Sequence, residues 1–164
     1  MKVIDAVDVD PAVKPISEQY FLHQALPGLI RFYPLSARYA MRKFGRENRR
    51  YGFTFLDAYF GQGIPEELVT LDFFEDVRRV SDRTVANLIT DRDLDSAFSR
   101  NFLATFRRAF GAVWISSVTP GDSYYTNFLI SSWPIEGAKL WNESGDPYRD
   151  DKNRAAWEYV DMKW

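Results

Sequence analysis

Asp93-Leu94-Asp95-Ser96-Ala97-Phe98-Ser99-Arg100-Asn101-Phe102-Leu103-Ala104-Thr105-Phe106-Arg107-Arg108-Ala109-Phe110-Gly111-Ala112-Val113-Trp114 places Phe98, Phe102, Phe106, Phe110 and Trp114 at every fourth position. On a helix of 3.6 residues per turn that spacing drifts by about 40° per step, so the ring ladder winds around the helix. Several neighbours must therefore cover it. Thr90 with Asp93 offers an approximate capping pattern ahead of it. Read as the central helix from Asp93 to about Trp114, this stretch predicts a mainly α fold.

Shorter patterns extend that reading outward. Ser17 can cap a helix through Leu26, stopped by Pro27-Gly28. Pro34 suits a first helical residue, and Ala37, Ala40, Met41 and Phe44 then form one apolar stripe. Phe55, Leu56, Tyr59 and Phe60 have helical spacing and end at Gly61-Gln62-Gly63. Pro65-Glu66-Glu67 starts another helix, whose buried face is Leu68, Leu71, Phe74 and Val77, with Glu75 and Arg79 paired outside. Residues 112–135 read as a small β-hairpin about Pro120-Gly121 or as a helix beginning near Asp122. The expected organisation is an extended arm over residues 1–16, an irregular helical domain over 17–140, and a polar, aromatic docking tail over 141–164. In the arm, Val7-Asp8-Val9-Asp10 alternates with period two.

Composition narrows the chemistry. The 164 residues contain no Cys and one His, which excludes a disulfide framework, a thiolate nucleophile and the usual Cys/His zinc sites. Rings number 27 against 31 Leu, Ile and Val, an aromatic-rich balance. The near-neutral total of −2 hides segregation: residues 31–50 carry a local +6 and residues 51–76 a local −6. Ala109 to Ile135 is interrupted only by Asp122 but contains Thr119-Pro120-Gly121, so a transmembrane span is not expected. Residues 1–15 have neither an apolar core nor an Arg-rich, acid-poor character, so they read as neither signal nor transit peptide.

The motifs that carry chemistry are few. Asp91-Arg92-Asp93-Leu94-Asp95 resembles the start of a calcium loop, but Ser96 stands where Gly is needed and Phe102 where the bidentate Glu belongs, so helix capping explains these acids better. Gly61-Gln62-Gly63 is too short for a dinucleotide loop, because Glu66 occupies the third glycine position. His23 is the sole imidazole available as a base. Asp57, among Phe55, Leu56, Ala58, Tyr59 and Phe60, is the first carboxylate to suspect of proton transfer, although helical spacing turns it to one side. No motif calls for a metal or a cofactor.

Arg38, Arg42, Arg46 and Arg49 form a second stripe provided Gly45 does not end the helix; guanidinium forks suit carboxylates or phosphates. Trp141, Tyr148, Trp157, Tyr159 and Trp164 lie among ten charged residues of the tail, with little aliphatic mass to pack on. Together these nine residues are the expected partner- or anion-binding surface. The functional expectation is a non-catalytic accessory or structural subunit docking onto other protein subunits of a larger assembly. A membrane-adjacent respiratory or ATP-synthase complex and a viral particle are both compatible, with anionic lipid headgroups as further contacts. The intracellular setting is favoured, mitochondrial or membrane-peripheral ones included. Two alternatives stand beside it: a small carboxylate-dependent enzyme or ligand-binding domain, and an RNA-associated protein of the ribosomal type, which the acidic balance disfavours.

Overall fold

The computed structural model describes residues 3–61, 63–118 and 125–143. Its fold is α/β, which corrects the expectation of a mainly α chain. The elements in order are β1 (Ile4–Asp8), α1 (Val13–Ile16), a π-helical turn (Ser17–Leu22), β2 (Ile30–Pro34), α2 (Ala37–Arg46), β3 (Thr54–Leu56), a 3-10 turn (Glu66–Leu68), α3 (Leu71–Val80), β4 (Thr84–Asp91), α4 (Ala97–Phe110), β5 (Trp114–Ser117), β6 (Tyr125–Ser131) and β7 (Lys139–Leu140). β1 and β2 form a parallel pair, and the other five strands form a sheet of order β3-β4-β6-β5-β7. β3 runs parallel to β4, while β6 is antiparallel to both β4 and β5.

The local reasons differ from the sequence reading at several points. Pro34 closes β2, and Ser36 is the cap of α2, its hydroxyl accepting the Tyr39 N–H at 3.2 Å. Phe55 and Leu56 belong to a strand: Leu56 faces the core and Phe55 stays half exposed, an alternation too short to show in three residues. α3 begins after Thr70, whose hydroxyl accepts from the Phe73 N–H, and Glu66–Leu68 is a separate turn. Arg79 pairs with Asp76 at 2.9 Å. α4 begins after Ser96 and ends at Gly111, whose φ of +88° takes the backbone out of the helix, leaving Trp114 on β5. Over 112–135 the flanking elements are antiparallel strands; Pro120 and Gly121 lie outside the described residues.

The ring ladder finds its cover within this chain. Phe102 and Phe106 are fully buried, and Phe74 of α3 meets Phe102, Phe106 and Phe110 at centroid separations of 5.6, 5.4 and 6.0 Å. These side chains join Ala40 and Phe44 of α2, Ala86 and Leu88 of β4, and Phe128 and Ile130 of β6 in one core. The three long helices thus cover a single face of the strands. Edge-to-face rings at these separations add about 0.5–1.5 kcal/mol per pair to area burial.

The β1–β2 pair is tied to this body by a buried carboxylate. Asp5, its side chain 2% exposed, accepts from Arg31 Nε at 2.6 Å, Arg49 Nη1 at 3.0 Å and Tyr51 Oη at 2.6 Å. Burial alone would raise its pKa, but these donors outweigh burial and hold the carboxyl below the usual range. Burial and the neighbouring Asp5 push the Tyr51 phenol up to about 12. A group whose pKa is lower folded than unfolded contributes stability that is complete above the ordinary aspartate range and lost as pH falls through the lowered value. Asp5→Asn is therefore expected to destabilise the chain at neutral pH and to flatten the acid limb of its stability profile below about pH 4, read by urea unfolding at a series of pH values.

Candidate functional site at the carboxyl ends of the parallel strands

In open parallel sheets, ligands settle outside the carboxyl ends of the strands, at the point where the winding direction reverses. Here β1 pairs with β2 and β3 with β4 in separate sheets, and the Tyr51 hydroxyl just ahead of β3 reaches Asp5 of β1, so the change of winding direction falls on the β1–β3 side. Acidic residues stand at these ends: Asp8 closes β1, Asp57 follows β3 and Asp91 closes β4.

Each has a distinct setting. Asp8 is half-buried, and its Oδ1 accepts the Asp10 N–H at 2.9 Å, which orients the carboxylate. Asp57 is exposed and steered by Asn87 of β4, whose Nδ2 donates to Oδ1 at 2.9 Å. Two residues on, the Tyr59 hydroxyl accepts the Ile89 N–H at 2.7 Å and donates to the Asn87 carbonyl at 3.1 Å, pinning the loop along β4. Burial raises the Tyr59 pKa, so the phenol stays protonated. Phe60 is 85% exposed, and Gly61 at φ +62° makes the turn that pairs Phe60 with Gly63. Glycine serves a tight turn there.

Asp91 has a structural task. It accepts from the Ser96 and Ser99 hydroxyls at 2.5 Å each, the Thr90 hydroxyl at 2.9 Å and the Asp95 N–H at 2.8 Å. Burial opposes ionisation, yet these donors hold its carboxyl well below the ordinary range. It anchors the start of α4, and among the described residues no cluster of His, Cys, Asp or Glu could hold a metal ion.

The arginine stripe disperses. Arg38 is 2% exposed, its Nη1 donating to the Glu67 carbonyl at 2.8 Å and to Thr70 Oγ1 at 3.3 Å, so it binds the starts of α2 and α3 together at the carboxyl edge. Arg42 pairs with Asp76 at 3.3 Å. Arg46 is exposed, over the Tyr39 ring at 6.0 Å. α2 ends at Arg46, so Arg49 leaves the stripe and joins Asp5, Glu47 and the Tyr33 hydroxyl. Trp141 is buried, covered by Arg107 at 5.0 Å, and its backbone N–H donates to the Val113 carbonyl. Tyr148, Trp157, Tyr159 and Trp164 lie outside the described residues. His23 ends the π-helical turn, where the chain returns towards the amino ends of the strands, away from Asp57. Asp8 was missed because a strand-terminal acid looks like any other; its signal is a short β-type run ending in Asp.

No family model matches the chain. A polyamine aminopropyltransferase of Vibrio vulnificus (strain CMCP6) is 33% identical over 111 residues, which are 66% of this chain and 36% of that protein. Solved structures share the fold. Human methyltransferase-like protein 13 in complex with SAH superposes with a TM-score of 0.65 at 16% identity, over 82% of this chain and 63% of that one. A probable spermidine synthase from Corynebacterium glutamicum ATCC 13032 gives 0.61 at 18% identity, over 93% and 51%. Spermidine synthase from Thermotoga maritima gives 0.59 at 14%, over 94% and 56%. The chain thus spans about a third of the length of the curated relative and between half and two thirds of the solved chains. These findings overturn the expected non-catalytic, membrane-associated accessory subunit: the proteins this chain resembles are enzymes. Among the described residues no helix is long and apolar enough to cross a membrane.

Arg38→Ala should destabilise the chain by about 2–4 kcal/mol through lost charged hydrogen bonds and a cavity, seen as a lower urea midpoint. Asp91→Ala should cost about 1–3 kcal/mol by leaving the buried Ser99 hydroxyl short of its acceptor, with faster exchange at the amides opening α4. The chain shares its fold with these methyltransferase-like and spermidine synthase structures.

Proposed function

We propose that this chain carries part of the active face of a group-transfer enzyme that uses an S-adenosyl donor and an amine acceptor, of the aminopropyl-transferring class. The observation that carries the reading is the pair Asp8 and Asp57 at the ends of strands flanking the winding reversal, in a chain 33% identical to a polyamine aminopropyltransferase over 111 residues. The donor set fits such a molecule: an acid at the end of a parallel strand is placed to accept from ribose hydroxyls, and Asp8 is oriented there by the Asp10 N–H. Bound there, the donor would supply a carbon activated by its sulfonium, the C–S bond breaking to release a neutral thioether as the C–N bond to the amine forms.

The chain's own residues handle the acceptor. Asp57, oriented by Asn87, pairs with an ammonium group and accepts the proton an amine gives up as its nitrogen forms the new bond. The acidic run over residues 51–76, which includes Glu66 and Glu67 just after the Asp57 loop, concentrates a polycation near this edge. Exposed Phe60 offers an apolar surface for the methylenes between nitrogens. Methyl transfer is the second reading, favoured by the likeness to human methyltransferase-like protein 13.

Calorimetric titration of the chain with S-adenosylhomocysteine checks the donor side. Asp8→Asn should weaken binding roughly 10- to 100-fold, whereas Asp57→Asn should leave it within about threefold and lower amine-dependent turnover by about 10²–10⁴. Equal affinity of wild type and Asp8→Asn, or no binding at millimolar ligand, would defeat the reading.

A further inference from the structure

β3 ends at Leu56 while β4 runs on to Asp91. The register sets Thr54 against Thr84 and Leu56 against Ala86, and the Thr54 N–H donates to the Arg83 carbonyl, so Thr54 and Leu56 are the residues that bond to β4. In a parallel ladder each such residue bonds to the two that flank its partner. The next rung would therefore put residue 58 between the Asn87 carbonyl and the Ile89 N–H. One phenol takes both groups instead: the Tyr59 hydroxyl accepts the Ile89 N–H at 2.7 Å and donates to the Asn87 carbonyl at 3.1 Å. On its other side this part of β4 is held by β6, with Asn87 opposite Leu129 and Ile89 opposite Asn127.

The replacement releases the backbone of residues 57 and 58 from the sheet while the chain on either side stays attached. Leu56 is the last residue of the ladder, Tyr59 is anchored through its side chain, and Asp57 and Ala58 between them are exposed. A further tie starts from the same stretch of β4, where Asn87 Nδ2 donates to Asp57 Oδ1 at 2.9 Å. Asn87 thus holds the carboxylate with its side chain and the phenol with its carbonyl. An exposed carboxylate on an untethered loop samples several rotamers; these ties to one strand select a single place for it. Oδ2 accepts no hydrogen bond from the described residues and is the oxygen left for an acceptor cation.

We propose that Tyr59 is a positioning residue of the transfer site, acting on the acceptor amine through Asp57. It touches neither amine nor donor. Its hydroxyl stands in for the missing rung, so the chain leaves the sheet at Asp57 without uncovering β4, and the carboxylate is presented at one fixed place on the carboxyl edge. A proton acceptor works when held within about 0.5 Å of its productive geometry. Removing the phenol oxygen should therefore act where removing the Asp57 charge acts. The inference rests on the group-transfer reading for the task it gives Asp57.

The test is a double-mutant cycle on the purified 164-residue chain, with 1,4-diaminobutane as the probe and the amide shifts of residues 57–59 and 87–89 as the signal. Asp57→Asn should weaken diamine binding by about fivefold, the scale of an exposed ion pair, and Tyr59→Phe by about threefold. In the Asp57→Asn background, Tyr59→Phe should change the affinity by less than about 1.5-fold; a merely structural phenol would cost the same in both backgrounds. Asn87→Ala, which spares the phenol, should repeat the pattern. The urea midpoint of Tyr59→Phe should fall less than that of Arg38→Ala, and its affinity for S-adenosylhomocysteine should stay within about threefold of wild type. Three results overturn the proposal: Tyr59→Phe binding the diamine as wild type does, an equal loss with and without the Asp57 charge, or a wild-type chain with no diamine-dependent shift up to roughly 100 mM. The cycle needs no donor. Absent S-adenosylhomocysteine binding therefore defeats the group-transfer reading alone, whereas an additive cycle defeats this inference and leaves the donor titration as it stands.

Discussion

The buried carboxylate of Asp5 is the constraint on which the arrangement depends. No backbone ladder joins β1–β2 to the larger sheet among the described residues, so the two are held by side chains. Arg31 reaches Asp5 from the neighbouring strand, Arg49 from beyond α2, and Tyr51 from the approach to β3. Arg49 also lies over the Phe44 ring at 4.5 Å and donates to the Tyr33 hydroxyl, so the polar cluster is capped by the apolar core. A buried carboxylate with four donated hydrogen bonds is tolerated where an unpaired one would be ejected or protonated. Because Asp8 lies three residues along the same strand, this cluster also sets where the first acid of the site stands.

The helical half of the fold was legible because its signals are local. The ladder from Phe98 to Phe110 and the stripe Ala37, Ala40, Met41 and Phe44 follow the period of the helix, and both sit on helices with their rings buried or half-buried. The parallel strands were not legible, for a physical reason. β1 and β2 hold no fully buried residue and so show no clear in–out alternation, and three residues such as Thr54–Leu56 cannot display any period. Thr84–Asp91 carried a usable signal in its β-branched Thr84, Val85, Ile89 and Thr90, beside the Val7-Asp8 alternation at the end of β1. Without those strands the acids at their ends could not be seen as neighbours.

The site was half legible. Asp57 stood out through its apolar surroundings and does lie at the carboxyl edge, but on a loop after a strand. The arginines misled because spacing on a helix says which residues share a face, not which carbonyls wait opposite. Arg38 falls in the first turn of α2, where the Glu67 carbonyl and Thr70 hydroxyl receive it; Arg42 meets Asp76. Trp141 likewise looked unsupported among charges, yet the guanidinium of Arg107 lies over its ring and its backbone pairs with Val113 just ahead of β5.

Tyr59 gives the loop of Asp57 a mechanical property. By accepting from the Ile89 N–H and donating to the Asn87 carbonyl, its hydroxyl does for the outer half of β4 what another strand would do. Any tug on this loop strong enough to swing the phenol aside uncovers two main-chain groups at once. The position of the Asp57 loop and the stiffness of the central strand are therefore coupled through one hydroxyl.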